Sequence, residues 1–147
     1  MIDIRQVQYG TPLWNQLIEY AAHCSWIAGE HLASMMRENR FEDWEAVFAA
    51  IDSGRIVGYC TFLKTDYYPE NRYSPWISSI FVDEAFRGRR ISQIMIDTVI
   101  GYARICGFSR VYIPSDMTGF YEKYGFYQID TLENYGGDID NIFARDI

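Results

Sequence analysis

One segment restricts the fold more than any other. Ile91, Ile94, Met95, Thr98, Val99, Tyr102 and Cys106 recur at the i, i+3, i+4 spacing of an amphipathic helix. Gly107 is placed to end it. Trp76 to Val82 ahead of the helix and Arg110 to Pro114 behind it are short and rich in apolar, aromatic and β-branched residues, as strands are. A strand, a helix and a strand over 76–114 form a crossover connection, which sets two parallel strands side by side.

The remaining segments build around that unit. Ile2 to Val7 reads as a first strand. Thr11-Pro12 is a helix start, a capping hydroxyl followed by proline at the first helical position, and Trp14, Leu17, Ile18 and Ala21 follow at helical spacing. A second helix is expected over Trp26 to Arg37, capped by Ser25, with Ala28, Leu32, Met35 and Met36 on its inner face. Trp44 to Asp52 and Ile56 to Asp66 are joined by Ser53-Gly54 and predict a hairpin. Tyr67 to Pro75 is a loop. Asp116 is expected to cap a short helix through Tyr124, closed by Gly125. Phe126 to Leu132 and Asp140 to Arg145 are the last two strands, joined across Gly136-Gly137. The order β-α-α-β-β-β-α-β-α-β-β predicts an α/β (α+β) mixed sheet with helices on both faces. At 147 residues, 49% of them apolar and 17% aromatic, there is material for one core, so 1–147 is expected to be a single domain.

Composition narrows the function. The net charge of −7 argues against a general nucleic-acid binder. No apolar run reaches the ~20 residues of a membrane helix, and Met1-Ile2-Asp3-Ile4-Arg5 lacks the pattern of a secretory leader. A soluble, cytoplasmic protein without a membrane partner is the expectation. Cys24, Cys60 and Cys106 are odd in number, far apart and set among apolar neighbours, so they read as reduced core residues. His23 and His31 have no acidic or thiol partner at ligand spacing, and no metal is expected.

The scarce positive charge is concentrated. Arg87, Arg89 and Arg90 lie within four residues, at the start of the third helix. A helix N-terminus presents free N–H groups and the positive end of the dipole, which together bind phosphate. Gly88 permits close backbone approach, the arginines add charge-assisted bonds, and Ser92 brings a hydroxyl. By spacing alone, a solvated basic turn explains the same residues equally well.

The wider context favours phosphate. Ile80-Phe81-Val82-Asp83-Glu84-Ala85-Phe86-Arg87-Gly88-Arg89-Arg90-Ile91-Ser92 resembles motif A of the GNAT superfamily, the Gcn5-related N-acetyltransferases: a hydrophobic strand ending in valine, then Arg/Gln-x-x-Gly-x-Gly/Ala at a helix start. Further along, Gly119-Phe120-Tyr121-Glu122-Lys123-Tyr124-Gly125-Phe126 resembles the family's motif B, with the two motifs in the family's order and separation. Arg90 and Ser92 occupy the two family glycine positions, and a helical backbone there does not require glycine.

The resemblance implies a fold, a cofactor and roles. The fold is GNAT-like, with a central pair of parallel strands that splay apart around acetyl-CoA, the co-substrate. Backbone groups of Ile80, Phe81 and Val82 would pair with the pantetheine arm. The pyrophosphate would sit on the N–H groups of Arg87, Gly88, Arg89, Arg90, Ile91 and Ser92. Phe120 and Lys123 would flank the cofactor. Tyr121 matches the family tyrosine that acts as general acid to the departing thiolate; a phenol of pKa about 10 suits a thiolate of similar basicity. The family builds its substrate pocket from the join of the first two helices and the loop before the central strand. Here those hold Trp26 and Glu30, and Tyr67, Tyr68, Glu70 and Tyr73, aromatics and acids suited to a cationic amine, although packing explains them equally well. Asp66, Glu70 and Asp83 are the acids nearest the expected cleft, and none is singled out as the base.

The preferred function is therefore transfer of acetyl from acetyl-CoA to a primary amine of a small molecule or peptide, by direct attack in a ternary complex. The alternative is a non-catalytic acyl-CoA-binding sensor or scaffold. A phosphate-reading nucleic-acid protein is least favoured. Exposed strands near the C-terminus suit a homodimer, with the oligomeric state left open along with the identity of the amine.

Overall fold

A computed structural model describes residues 1–26 and 28–147. The crossover forms as its pattern demands. Strand β4 (Trp76–Val82) leads through a 3₁₀ turn (Glu84–Phe86) into helix α3 (Ile91–Ile105) and on to β5 (Arg110–Ser115). β4 and β5 are parallel neighbours, with Trp76 opposite Tyr112. The other elements are β1 (Ile2–Gln6), α1 (Pro12–His23), α2 (Gly29–Arg37), β2 (Ala46–Asp52), β3 (Arg55–Leu63), β6 (Tyr127–Glu133) and β7 (Ile139–Asp146), with a second 3₁₀ turn at Tyr121–Tyr124. The seven strands form one mixed sheet in the order β1-β2-β3-β4-β5-β7-β6. β7 inserts between β5 and β6 and is antiparallel to both.

Local chemistry accounts for most of the element ends. Thr11 Oγ1 accepts the Trp14 N–H at 3.3 Å, and Pro12 opens α1. Ser53 and Gly54 both have positive φ, 51° and 79°, as a two-residue hairpin turn requires. Gly125, at φ 86°, closes the second 3₁₀ turn; its N–H donates to the Glu122 carbonyl, and the Phe126 N–H donates to Tyr121.

Four expectations are corrected. The second helix starts at Gly29, with Ala28 as a cap that makes no side-chain bond, rather than at Trp26 with Ser25 as cap; Ile27 within that span lies outside the described residues. Its buried residues are Gly29, Leu32, Ala33 and Met36, while Ala28 and Met35 are only half-buried. The expected helix from Asp116 is reduced to the single turn at Tyr121–Tyr124. Gly119 at φ 80° breaks any earlier helix, and its N–H, which a cap at Asp116 would accept, goes to the Glu122 carboxylate. On α3 the buried stripe is Ile91, Met95, Ile96, Val99, Ile100 and Ala103, so Ile94 and Cys106 are exposed. Of the cysteines only Cys60 is a core residue. Burial pushes its thiol up to about 12, and Cys24 is half-buried.

Two compact units can be described, each by itself. In the first, Met1–Thr61 with Ser79–Thr98, Trp14, Leu17, Ile18 and Ala21 of α1 and Leu32, Ala33 and Met36 of α2 bury against Val47, Ala49, Ile51, Tyr59 and Phe81. In the second, Phe62–Ser78 with Val99–Ile147, Trp76, Tyr112, Ile142, Ala144 and Leu132 form an apolar cluster with Tyr68 and Tyr73 of the 67–75 loop. No helix among the described residues is long and apolar enough to cross a membrane.

Candidate functional site

In the first unit the segment from β4 to α3 is shaped by its own side chains. Asp83 Oδ1 accepts the Ala85 N–H at 3.1 Å and caps the 3₁₀ turn. Asp83 Oδ2 accepts from the Tyr20 hydroxyl at 3.2 Å. Burial and the adjacent Asp83 carboxylate both push the Tyr20 phenol well above its usual range. Arg87 Nε donates to the Val82 carbonyl at 3.0 Å, with its guanidinium 5.8 Å from the Phe81 ring centre. Arg89 lies 5.0 Å over Phe86. Among the described residues no carboxylate pairs with Arg87, Arg89 or Arg90. Three uncompensated cations on a chain of net charge −7 suit a polyanion, and the diphosphate of a coenzyme A is one.

Arg90 departs from the expected helical backbone. Its φ is +57°, in the left-handed region, and it directly precedes α3; its carbonyl accepts the Ile94 N–H at 3.1 Å. Gly88 also has positive φ, 82°. The glycine that the family pattern places at residue 90 is thus demanded by backbone geometry, and this chain carries the strain with an arginine. Arg90→Gly is expected to raise stability by about 1 kcal/mol, the relief of strain less the added freedom of the unfolded chain. Thermal melts of the two proteins without ligand check this; an unchanged or lower Tm would mean the turn holds no strain.

The same unit holds a stack of aromatic rings. Trp26 lies parallel to Phe81 at 6.2 Å and to Tyr59 at 6.4 Å, and Tyr59 stacks on Phe81 at 5.3 Å. Tyr59 is fully buried, its phenol raised by burial and by Cys24, whose Sγ is 3.6 Å from the hydroxyl. β3 and β4 approach closely beside the stack: a Cβ at Gly58 would fall 2.5 Å from the Phe81 carbonyl oxygen. Glu30 is exposed and paired with Arg37 at 2.8 Å, so it does not join the stack. Tyr59 was not legible as a neighbour of Trp26, because nothing local links β3 to the α1–α2 join.

In the second unit Tyr121 is 8% exposed, and its ring packs on Phe120 (4.9 Å), Phe143 (6.2 Å) and Phe126 (6.3 Å). Glu122 accepts the Gly119 N–H with both carboxylate oxygens, at 3.0 and 3.1 Å, which fixes the entry to the turn. Lys123 Nζ lies 5.9 Å over the Phe120 ring.

The 67–75 loop is held by phenol–carboxylate bonds. The Tyr68 hydroxyl donates to Asp140 at 2.8 Å and the Tyr73 hydroxyl to Asp130 at 2.7 Å. Glu70 pairs with Arg72. Tyr67 is exposed and meets Tyr135 edge-on at 5.4 Å. The bonds to Tyr73 and to the Thr131 N–H hold Asp130 below the usual carboxylate range. Asp66 behaves oppositely. Its Oδ1 accepts the Tyr67 N–H, while its Oδ2 is closed off from solvent and has no partner. Burial pushes this carboxyl up to about 6, against the lowering effect of the Tyr67 N–H and the Ser78 hydroxyl.

Comparisons place these features in a family. The sequence model of the Acetyltransferase (GNAT) family matches residues 24–126. Among curated proteins none matches the sequence. Among solved structures, aminoglycoside 6'-acetyltransferase type Ii superposes with a TM-score of 0.75 at 19% identity, over 98% of this chain and 96% of that one. A GNAT family acetyltransferase from Elizabethkingia anophelis with acetyl-CoA bound gives 0.71 at 17% identity, over 99% and 98%. An aminoglycoside 6'-N-acetyltransferase complexed with coenzyme A gives 0.73 at 16%, over 98% and 96%. The mixed sheet is the fold of those enzymes, and with most of its length matched by the family's sequence model, the chain belongs to the GNAT acetyltransferase family.

Proposed function

We propose that this protein is an acetyl-CoA-dependent N-acetyltransferase that acts on a primary amine of a small molecule or peptide, with residues 1–147 working as one domain. The observation that carries the reading is the arginine turn at 87–90, three guanidinium groups with no carboxylate partner among the described residues, around two left-handed residues at the head of α3. A diphosphate is the ligand that such a turn suits. Bound acetyl-CoA would supply the activated acyl group as a thioester.

The chain's own residues divide the work. Arg87, Arg89, Arg90 and the backbone N–H groups of 87–92 hold the diphosphate. Ile80, Phe81 and Val82 offer backbone groups to the pantetheine arm. Arg87 now occupies the Val82 carbonyl; its turning toward the diphosphate releases that acceptor, so the two contacts support each other. Phe120 and Lys123 flank the coenzyme, and Tyr121 donates a proton to the leaving thiolate. Trp26 offers a half-exposed aromatic face for a cationic acceptor. Amine and thioester react directly, with no acetyl-enzyme. Aminoglycosides are the acceptors named for two of the similar structures and head the amine panel to be tried. The second reading, an acyl-CoA sensor without catalysis, has no structural feature in its favour while Tyr121 is present.

The first test is thermal. A ligand at about a hundred times its Kd stabilises by about 2.7 kcal/mol, which is roughly 5–10 °C in a chain of this size. Acetyl-CoA is expected to produce that shift, and thiol release across an amine panel should then follow. A shift without thiol release for any amine favours the sensor; no shift removes both readings.

A further inference from the structure

Arg87, Arg89 and Arg90 are close along the chain, but a fourth arginine joins them only in space. Arg55 opens β3, directly after the Ser53-Gly54 turn. The Asp83 N–H donates to the Val57 carbonyl at 2.7 Å, which ties the end of β4 to the start of β3. Arg55 thereby reaches the 3₁₀ turn at Glu84–Phe86. Its guanidinium carbon lies 5.6 Å from the centre of the Phe86 ring, and that of Arg89 lies 5.0 Å from the centre of the same ring. All of these residues belong to the first unit.

A single ring that holds two guanidinium groups brings two like charges together. The attraction of each cation for the ring is offset in part by their mutual repulsion. A carboxylate between them would cancel that repulsion, yet among the described residues none pairs with Arg55 or with Arg89. Asp83, at the head of the same turn, is occupied, since its two carboxylate oxygens accept from Ala85 and from Tyr20. Other exposed arginines are treated differently. Arg5 holds Asp3, Arg37 holds Glu30, Arg40 holds Glu38 and Arg72 holds Glu70. With 20 acids against 13 lysines and arginines, the chain has carboxylates to spare, and none is set against these two cations. A pair of guanidinium groups left this way suits an anion from outside.

Coenzyme A carries more charge than its diphosphate. The diphosphate bridge has two negative charges, and the 3′-phosphate on the ribose is a phosphomonoester that carries about −1.5 to −2 at pH 7. The turn at 87–90 and its backbone N–H groups serve the first. The second needs a cation beside the turn and outside its backbone, and Arg55 is in that place. Stacking on Phe86 holds its planar fork in position, so little further freedom is lost when a phosphate is gripped. We infer that Arg55 is the fourth cation of the coenzyme site and takes the 3′-phosphate of coenzyme A, beside Arg89 on the shared Phe86 ring. This role rests on the acetyl-CoA reading above and adds a selectivity to it: the protein favours the complete coenzyme over its dephospho form. A phosphate next to the two guanidinium groups also removes their repulsion.

Isothermal titration of coenzyme A and of dephospho-coenzyme A into the protein, at one ionic strength, tests this. The wild type is expected to bind coenzyme A about tenfold more tightly than the dephospho form, the scale of one charge-assisted contact. Arg55→Gln should weaken coenzyme A by about that factor and leave dephospho-coenzyme A within about twofold, so that the preference disappears. Arg55→Lys keeps the charge without the planar fork and should restore about threefold of the preference. Arg40→Gln removes an exposed arginine of the same unit that holds Glu38; both affinities should stay as in the wild type, which separates a contact from a change in net charge. Because Arg55 is exposed, the variants without ligand should melt with the wild type. A wild type that does not distinguish the two coenzymes, an Arg55→Gln protein that keeps the preference, or one that loses both ligands equally overturns the role of Arg55 and leaves the transferase reading standing. So does an Arg55→Lys protein no better than Arg55→Gln, or an Arg40→Gln protein that loses the preference as well. A wild type that binds neither coenzyme overturns both.

Discussion

Replacing Tyr121 by Phe is expected to lower kcat by about a hundredfold, the lower end of what a positioned general acid contributes. The ring contacts to Phe120, Phe126 and Phe143 are kept by phenylalanine, so the acetyl-CoA-induced thermal shift should stay close to the wild type. The loss should therefore fall on kcat and leave coenzyme affinity nearly untouched. The measurement is thiol release at saturating acetyl-CoA beside a coenzyme titration. Full turnover in Tyr121→Phe would take the proton-donor role from this residue and return Tyr121 to packing, which its burial at 8% exposure also explains.

The largest stability effect is expected at Trp76. Its side chain is fully buried and meets Tyr68, Tyr73 and Tyr112 at 5.5, 6.3 and 5.9 Å. Trp76→Ala should cost about 3–5 kcal/mol, a large share of the 5–15 kcal/mol that typically holds a domain together. Trp76→Phe separates two contributions. It keeps an aromatic ring in the cluster and removes an indole N–H that has no partner, so part of the lost packing is offset by about 1–3 kcal/mol of relieved desolvation. Urea unfolding of the three proteins gives the order directly. A loss below about 1 kcal/mol for Trp76→Ala would mean that the 67–75 loop is not anchored on this ring.

The two predictions show where the sequence is informative. The motif containing Tyr121 can be read because its neighbours impose local geometry. Gly125 must supply a left-handed residue, and Tyr121 to Tyr124 lie within one turn of it. Trp76 can be read as a strand residue for the same kind of reason. That its indole would sit under Tyr68 and Tyr73 could not be read, because a loop with two prolines and three tyrosines carries no period to fix its path. Helix α1 and the hairpin at Ser53-Gly54 were legible from cap and turn chemistry. The short helix expected from Asp116 was not, since Gly119 at positive φ overrode an otherwise acceptable cap.

The site divides in the same way. The sequence by itself determined the β-α-β crossover, the start of α1, the close of α3 by Gly107, the cluster of arginines ahead of α3 and the resemblance to an acetyltransferase family. Each of these is written in residues close along the chain, as a hydrophobic period, a cap, a turn or a run of charge. Only the tertiary structure decided that Arg90 takes a left-handed backbone, that Trp26 lies on Phe81 and Tyr59, and that Asp66 alone among the nearby acids keeps an unmatched, buried oxygen. Desolvation is the reason for the last of these. The state of a carboxylate is a sum over whatever surrounds it, and Asp66 is raised by burial and by Asp140, a residue 74 positions away in the chain.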